Sequence, residues 1–160
     1  MHLHKKKAAG KSVHEIALER IRLCFERFDK VVVSFSGGKD STICLNLALE
    51  VARELGRLPL DVISWDEEAI PPETVEYMAR VAALPEIRFK WLCLPVKHRN
   101  ACSNRSPWWY PWDPDCRDLW CRPLPEGAIT ELDGFNRKPI PDSTGYVYPP
   151  EYGTVVAVLG

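Results

Sequence analysis

Residues Val31 to Thr42 read VVVSFSGGKDST. Valine and phenylalanine favour extended backbone. The opening run, Val31 to Phe35, lacks clean alternation, as expected of a strand buried on both faces of a parallel sheet. It breaks into Ser36-Gly37-Gly38-Lys39-Asp40-Ser41, after which Asp40 to Leu55 reads as a helix. Ile43, Leu47, Val51 and Leu55 recur on one side of that helix, and Gly56 is its stop signal. The hexapeptide therefore lies at a strand-to-helix turn, the edge where ligands bind in parallel α/β sheets.

The chemistry of the hexapeptide suits an anion. Glycines admit positive φ and bring backbone N–H groups close to a ligand. The helix start adds unpaired donors and about half a positive charge. Lys39 adds a cation, Ser36 and Ser41 add hydroxyls, and Asp40 suits a Mg²⁺ ion carried by a nucleotide. At ordinary residue frequencies this hexapeptide arises by chance in roughly one chain in 10⁵ of this length, so a turn that merely needs glycine is the weaker reading. Gly10-Lys11-Ser12 matches only the tail of a Walker A loop, because Lys5 stands where the first glycine belongs.

Outward from the loop, Ser12-Val13-His14-Glu15 matches a capping box. Ile16, Ala17, Ile21, Cys24, Phe25 and Phe28 then follow at helical spacing, predicting an amphipathic helix from Val13 to about Phe28 that packs on the sheet. Leu60 to Trp65 is a second strand. Pro71-Pro72-Glu73 opens a helix through roughly Leu84, and Phe89 to Leu94 is a third strand ended by Pro95. Strand and helix in alternation predict an α/β fold, a parallel sheet with flanking helices and right-handed crossovers.

The chain has 160 residues, 46% hydrophobic and 27% charged, with net charge −1. One core is expected, and no global field draws it to nucleic acid or an anionic membrane. No apolar run approaches the ~18 residues of a membrane span, and no secretory signal follows the lysines of the N-terminus; the cytoplasm is the expected compartment. Residues 1–12, with the basic run His2 to Lys7, read as a flexible N-terminus, and 13–160 as one domain.

From Pro95 to Pro150 the texture becomes irregular. Trp108, Trp109, Tyr110, Trp112 and Trp120 fall among prolines, predicting a long ordered loop or lid. Its rings and Arg99, Arg105, Arg117 and Arg122 suit an aromatic satellite core, a grip on a nucleobase or single-stranded nucleic acid, or an interface with a partner protein or second copy. His98, Cys102, Cys116 and Cys121 are zinc or iron–sulfur ligands by residue type, without any C-x-x-C pair. Cys44 and Cys93 read as core packing. Thr154 to Leu159 is a last apolar β-run.

The motif Ser-Gly-Gly-Lys-Asp-Ser after a buried strand resembles the pyrophosphate-loop (PP-loop) ATPases, the adenine nucleotide α-hydrolase-like superfamily with a Rossmann-like sheet. Asp66 followed by Pro72-Glu73-Thr74 resembles the corresponding element of PAPS reductase-like proteins. The aromatic stretch from Ser106 to Pro125 resembles divergent phage and mobile-element members related to the immunoglobulin-binding-regulator A group.

The resemblance implies that ATP with Mg²⁺, or a related adenine nucleotide, binds at Ser34, Phe35, Ser36, Gly37, Gly38, Lys39, Asp40 and Ser41. Ser64, Trp65 and Asp66 would then lie near the adenosine. It implies cleavage between the α- and β-phosphates in adenylyl or sulfur-transfer chemistry, with Lys39 and Asp40 catalytic and the loop stabilising the pyrophosphate. Two departures bear on this. The family's Cys-Gly-x-His catalytic cysteine has no match here, so a PAPS or APS reductase activity would need Cys102, Cys116 or Cys121 as its thiol. The family's Gly-hydrophobic-Arg-x-x-Glu-Ser element would begin at the final Gly160, so a truncated domain, or a non-catalytic nucleotide-binding subunit completed by a partner chain, is the other expectation.

Overall fold

In the computed structural model, which describes residues 10–99, 104–105 and 107–131, the first helix starts where the capping box places it. Helix α1 (Val13–Arg27) is capped by Ser12, whose side chain accepts from the Glu15 amide at 3.2 Å, while the Glu15 carboxylate accepts from the Ser12 amide at 2.7 Å. Donation to that carboxylate from the Ser12 amide, and from the Ser12 hydroxyl at 2.8 Å, holds the Glu15 pKa below its usual value. Ser12 is thus a helix cap and not part of a phosphate loop.

Three strands form a parallel sheet in the order β1 (Val32–Ser34), β2 (Leu60–Trp65), β3 (Ile87–Leu92). The register pairs Val33 with Val62, and Val62 with Phe89. Successive side chains point to opposite faces, so Val33, Phe35, Leu60, Val62, Ile87 and Trp91 share one face. On it pack α2 (Lys39–Glu54) and α3 (Pro72–Ala82), through Leu45, Ala48, Leu49, Val51, Ala52, Met78 and Val81. Burying each large apolar side chain in this core contributes roughly 1.5–3 kcal/mol. This is the α/β arrangement the element order predicts.

The opposite face holds a smaller cluster, Ile63, Leu92 and Leu94 with Val32, Trp65, Val96 and Ile129 against it. Ser34, Arg88 and Lys90 on that face are exposed. Among the described residues β1 is therefore covered by helices on one side only, unlike the strand buried on both faces that its sequence predicts.

Three packing expectations are corrected by the structure. Helix α1 lies along α2 and not on the sheet, with Leu18, Ile21 and Phe25 turned into the core. Arg57, just past α2, fixes this pairing by donating to the carbonyls of Phe25 at 3.1 Å and Asp29 at 2.6 Å. In α2 the buried residues are Leu45, Ala48, Leu49, Val51 and Ala52, where two alanines let the helix approach closely; of the predicted stripe Val51 is buried and Leu47 half-buried, while Ile43 and Leu55 are exposed. Cys44 is exposed as well, so it is not a packing residue.

Strand β3 begins two residues earlier than the apolar run suggests. Arg88 interrupts that run, but it lies on the open face and donates twice to the cross-strand Asp61 carboxylate, at 2.9 and 2.8 Å. Beyond Leu92 the backbone leaves the β2 ladder. The Cys93 amide donates to the Ile129 carbonyl at 2.9 Å and the Ile129 amide to the Trp91 carbonyl at 2.7 Å.

The aromatic stretch is ordered by docking. His98–Arg99 (β4) and Trp108–Trp109 (β5) form a short antiparallel ladder, and Pro114–Leu119 makes a 3₁₀ turn. Trp112 is buried with its ring edge-on to Trp120, centroids 5.1 Å apart. No helix of the described residues is long and apolar enough to cross a membrane. The basic run His2 to Lys7, Cys102 and the apolar run Thr154 to Leu159 lie outside the described residues.

Candidate functional site

The carboxyl ends of β1 and β2 bring most of the predicted residues to one edge. After β1, Phe35 is buried and its amide still donates to Ile63. The loop then leaves the sheet. Gly37 has φ +73, a left-handed conformation that favours glycine. A second constraint acts on the same residue, because an added Cβ would lie 2.8 Å from Thr74 Cγ2 and 3.1 Å from Met78 Cγ. The loop rests directly on the first turns of α3, which is why a glycine sits there.

Helix α2 opens at Gly38, which offers no side chain to the first helical amides. Those donors and the positive end of the helix dipole are left for another acceptor. The loop is held by its own hydroxyls. Ser36 Oγ and Ser41 Oγ share a hydrogen bond of 3.0 Å, Ser41 Oγ donates to the Gly38 carbonyl at 3.0 Å, and Thr42 Oγ1 donates to the same carbonyl at 2.8 Å. Lys39 and Asp40 are exposed, and neither pairs with a described residue. Ser34, one residue before Phe35, is exposed on the face away from α2 and α3, so its side chain is apart from this loop.

At the end of β2 the three predicted residues separate by face. Trp65 joins the cluster on the open face. Ser64 is fully buried and its hydroxyl has no partner. Asp66 is buried and its carboxylate is filled by protein donors: the Trp91 indole at 2.6 Å, the Glu68 amide at 2.7 Å, and the Arg122 guanidinium. It orders the site and has little capacity left for a ligand.

Glu68, which belongs to no motif, completes this network. It has φ +64 and is buried, and its carboxylate accepts from the Trp112 amide at 2.7 Å and the Cys121 amide at 2.9 Å. Arg122 donates Nε to the Glu68 carbonyl at 3.0 Å and stacks over the Trp112 ring at 4.8 Å. The two acids after β2 thus pin the aromatic stretch to the sheet edge. A motif search misses Glu68 because its partners lie 44 and 53 residues away.

The thiol and imidazole candidates are dispersed. Among the described residues no three metal-ligating side chains gather. His98 faces Glu67 at 3.7 Å and the Trp109 ring. Cys116 and Cys121 are exposed and unbridged. Partial desolvation and the Glu68 carboxylate push the Cys121 thiol pKa up. Burial, then the Asp66 carboxylate, pushes the Cys93 thiol far up; Cys93 is buried packing just beyond β3, as its sequence setting predicts.

Comparison with known proteins matches residues 30–107 to the phosphoadenosine phosphosulfate reductase domain. That range holds the glycine loop, Asp66, Glu68, α3 and β3. The chain is also 38% identical over 130 residues to the uncharacterized protein YbdN of Escherichia coli (strain K12). That alignment covers 78% of this chain and 30% of YbdN, so the chain spans under a third of that relative's length. With the loop after β1 and the parallel sheet in place, residues 30–107 are identified as a PAPS reductase-like domain.

Proposed function

We propose that the chain binds an adenine nucleotide, ATP with Mg²⁺, on the loop Ser36 to Ser41, for adenylyl or sulfur-transfer chemistry that parts the α- and β-phosphates. The observation that carries this reading is the uncapped start of α2 at Lys39, which pairs with no described residue. Amide donors, a helix dipole and a cation all belong to this one helix start, and the loop backbone is already braced by Ser36, Ser41 and Thr42. The orphaned hydroxyl of buried Ser64 offers a further polar group at the end of β2, the strand beside the loop.

The chain's own residues would act electrostatically. The first amides of α2 and Lys39 Nζ hold the β- and γ-phosphates and stabilise charge that develops on departing pyrophosphate, without reorganising. Asp40, exposed in the first turn, would supply a carboxylate oxygen to the Mg²⁺ that accompanies the nucleotide. The bound nucleotide supplies an activated α-phosphorus. Of the three thiols that a reductase reading would use, Cys121 is shifted toward the unreactive protonated form, and Cys102 lies outside the described residues.

Displacement of a fluorescent ATP analogue tests this reading. Inorganic pyrophosphate displaces the analogue at concentrations where orthophosphate does not, and ATP does so at lower concentration than GTP. Equal weakness of pyrophosphate and orthophosphate would contradict a pyrophosphate site.

A further inference from the structure

Tyr77 touches both ends of the glycine loop. Its ring packs edge-on against Phe35, the last residue before the loop, with centroids 5.9 Å apart. Its hydroxyl donates to Thr42 Oγ1, just after the loop, at 3.2 Å. Thr42 Oγ1 in turn donates to the Gly38 carbonyl at 2.8 Å, and the Thr42 amide donates to the same oxygen at 3.0 Å. The Gly38 carbonyl belongs to the peptide unit whose N–H is that of Lys39, the first amide of α2. Between these two anchors Gly37 lies against Thr74 and Met78, neighbours of Tyr77 on the same helix.

We propose that Tyr77 is a positioning residue for the phosphate loop, acting through Thr42 to fix the plane of the Gly38–Lys39 peptide and so the aim of the first amides of α2. This rests on the nucleotide reading above and adds to it a residue outside the loop motif. The direction of the relay is forced by chemistry. A carbonyl only accepts, so Thr42 Oγ1 spends its one proton on Gly38 and must be the acceptor for Tyr77. Half-buried Tyr77 has its aromatic role satisfied by Phe35, and a phenylalanine would satisfy it equally; the hydroxyl is the part that packing does not need. A loop that binds polyphosphate gains from donors fixed before the ligand arrives, because less ordering is left to the binding step.

The test is titration of ATP·Mg²⁺ and of inorganic pyrophosphate, separately, into the full chain and into Tyr77→Phe, Thr42→Val and Thr42→Ser, with a thermal melt of each. Loss of one part-buried hydrogen bond to a binding loop corresponds to about a fivefold weakening. Tyr77→Phe and Thr42→Val are expected to weaken both ligands by about that factor, while Thr42→Ser, which keeps the hydroxyl, stays near wild type. The melting midpoint of Tyr77→Phe is expected to stay close to wild type, so the affinity loss is not loss of fold. Unchanged affinity in Tyr77→Phe, with wild type binding normally, overturns the positioning role and leaves the nucleotide site standing. Failure of wild type to bind either ligand overturns both.

Discussion

The Asp66 carboxylate and the Arg122 guanidinium form an ion pair across 56 residues of sequence, with the Asp66 side chain fully buried. The pair ties the turn after β2 to the aromatic stretch. It persists away from water because the remaining carboxylate capacity is taken by the Trp91 indole and the Glu68 amide. A buried pair adds little over an apolar replacement, yet removing one partner strands the other and costs about 3–5 kcal/mol.

Arg122→Met is therefore predicted to lower unfolding free energy by about 3–5 kcal/mol in urea titration. Asp66→Asn combined with Arg122→Met should cost less than the two single changes summed, since the second removal relieves the stranded charge. A loss under about 1 kcal/mol in Arg122→Met would mean the aromatic stretch is not anchored there.

Gly37→Ala meets two obstacles, a positive φ and a Cβ placed 2.8 Å from Thr74 Cγ2. Strain of this kind costs about 1–3 kcal/mol. Thermal unfolding should show a lowered midpoint, partly recovered in Gly37→Ala with Thr74→Ser, which deletes the colliding methyl but leaves the φ penalty. No recovery would place the whole cost in the backbone.

Cys93 governs an alkaline prediction. Burial and Asp66 raise its thiol pKa in the folded chain above the ordinary value of 9.0. Below that ordinary value both states keep the proton, and this contribution to stability is intact. As pH climbs past it, the unfolded chain sheds the proton while the folded chain holds it, so stability falls, by up to about 1.4 kcal/mol per pH unit. Urea titrations at pH 7.5 and 9.5 should show wild type losing more stability than Cys93→Ala over that interval. In the native protein at pH 8, iodoacetamide should spare Cys93 and label exposed Cys44 and Cys116.

Local signals were legible where neighbours in sequence decide the structure. The Ser12–Glu15 capping box, the Leu60–Trp65 strand and the turn at Gly56 are such cases. The glycine loop was legible too, since its donors come from consecutive residues. What was hidden depends on distant partners. The stripe of α2 turned toward Leu45 and Ala48 because α1 lies beside it, which left Ile43 and Cys44 outside. Trp112 and Trp120 follow no backbone period, being placed by side-chain bonds to Asp66, Glu68 and Asp113. Tyr77 belongs to no motif, and the hydroxyl it meets on Thr42 is 35 residues away.

Calorimetric titration of ATP·Mg²⁺ into wild type and Lys39→Ala asks whether the loop after β1 holds the phosphates of ATP. Lys39 is exposed and pairs with no described residue, so its removal should leave the melting midpoint unchanged. A phosphate-holding role for the loop predicts micromolar binding to wild type, weakened by about tenfold or more in the variant, as expected for loss of a charge-assisted contact to phosphate. Equal binding by the two proteins, or none by wild type, would contradict it.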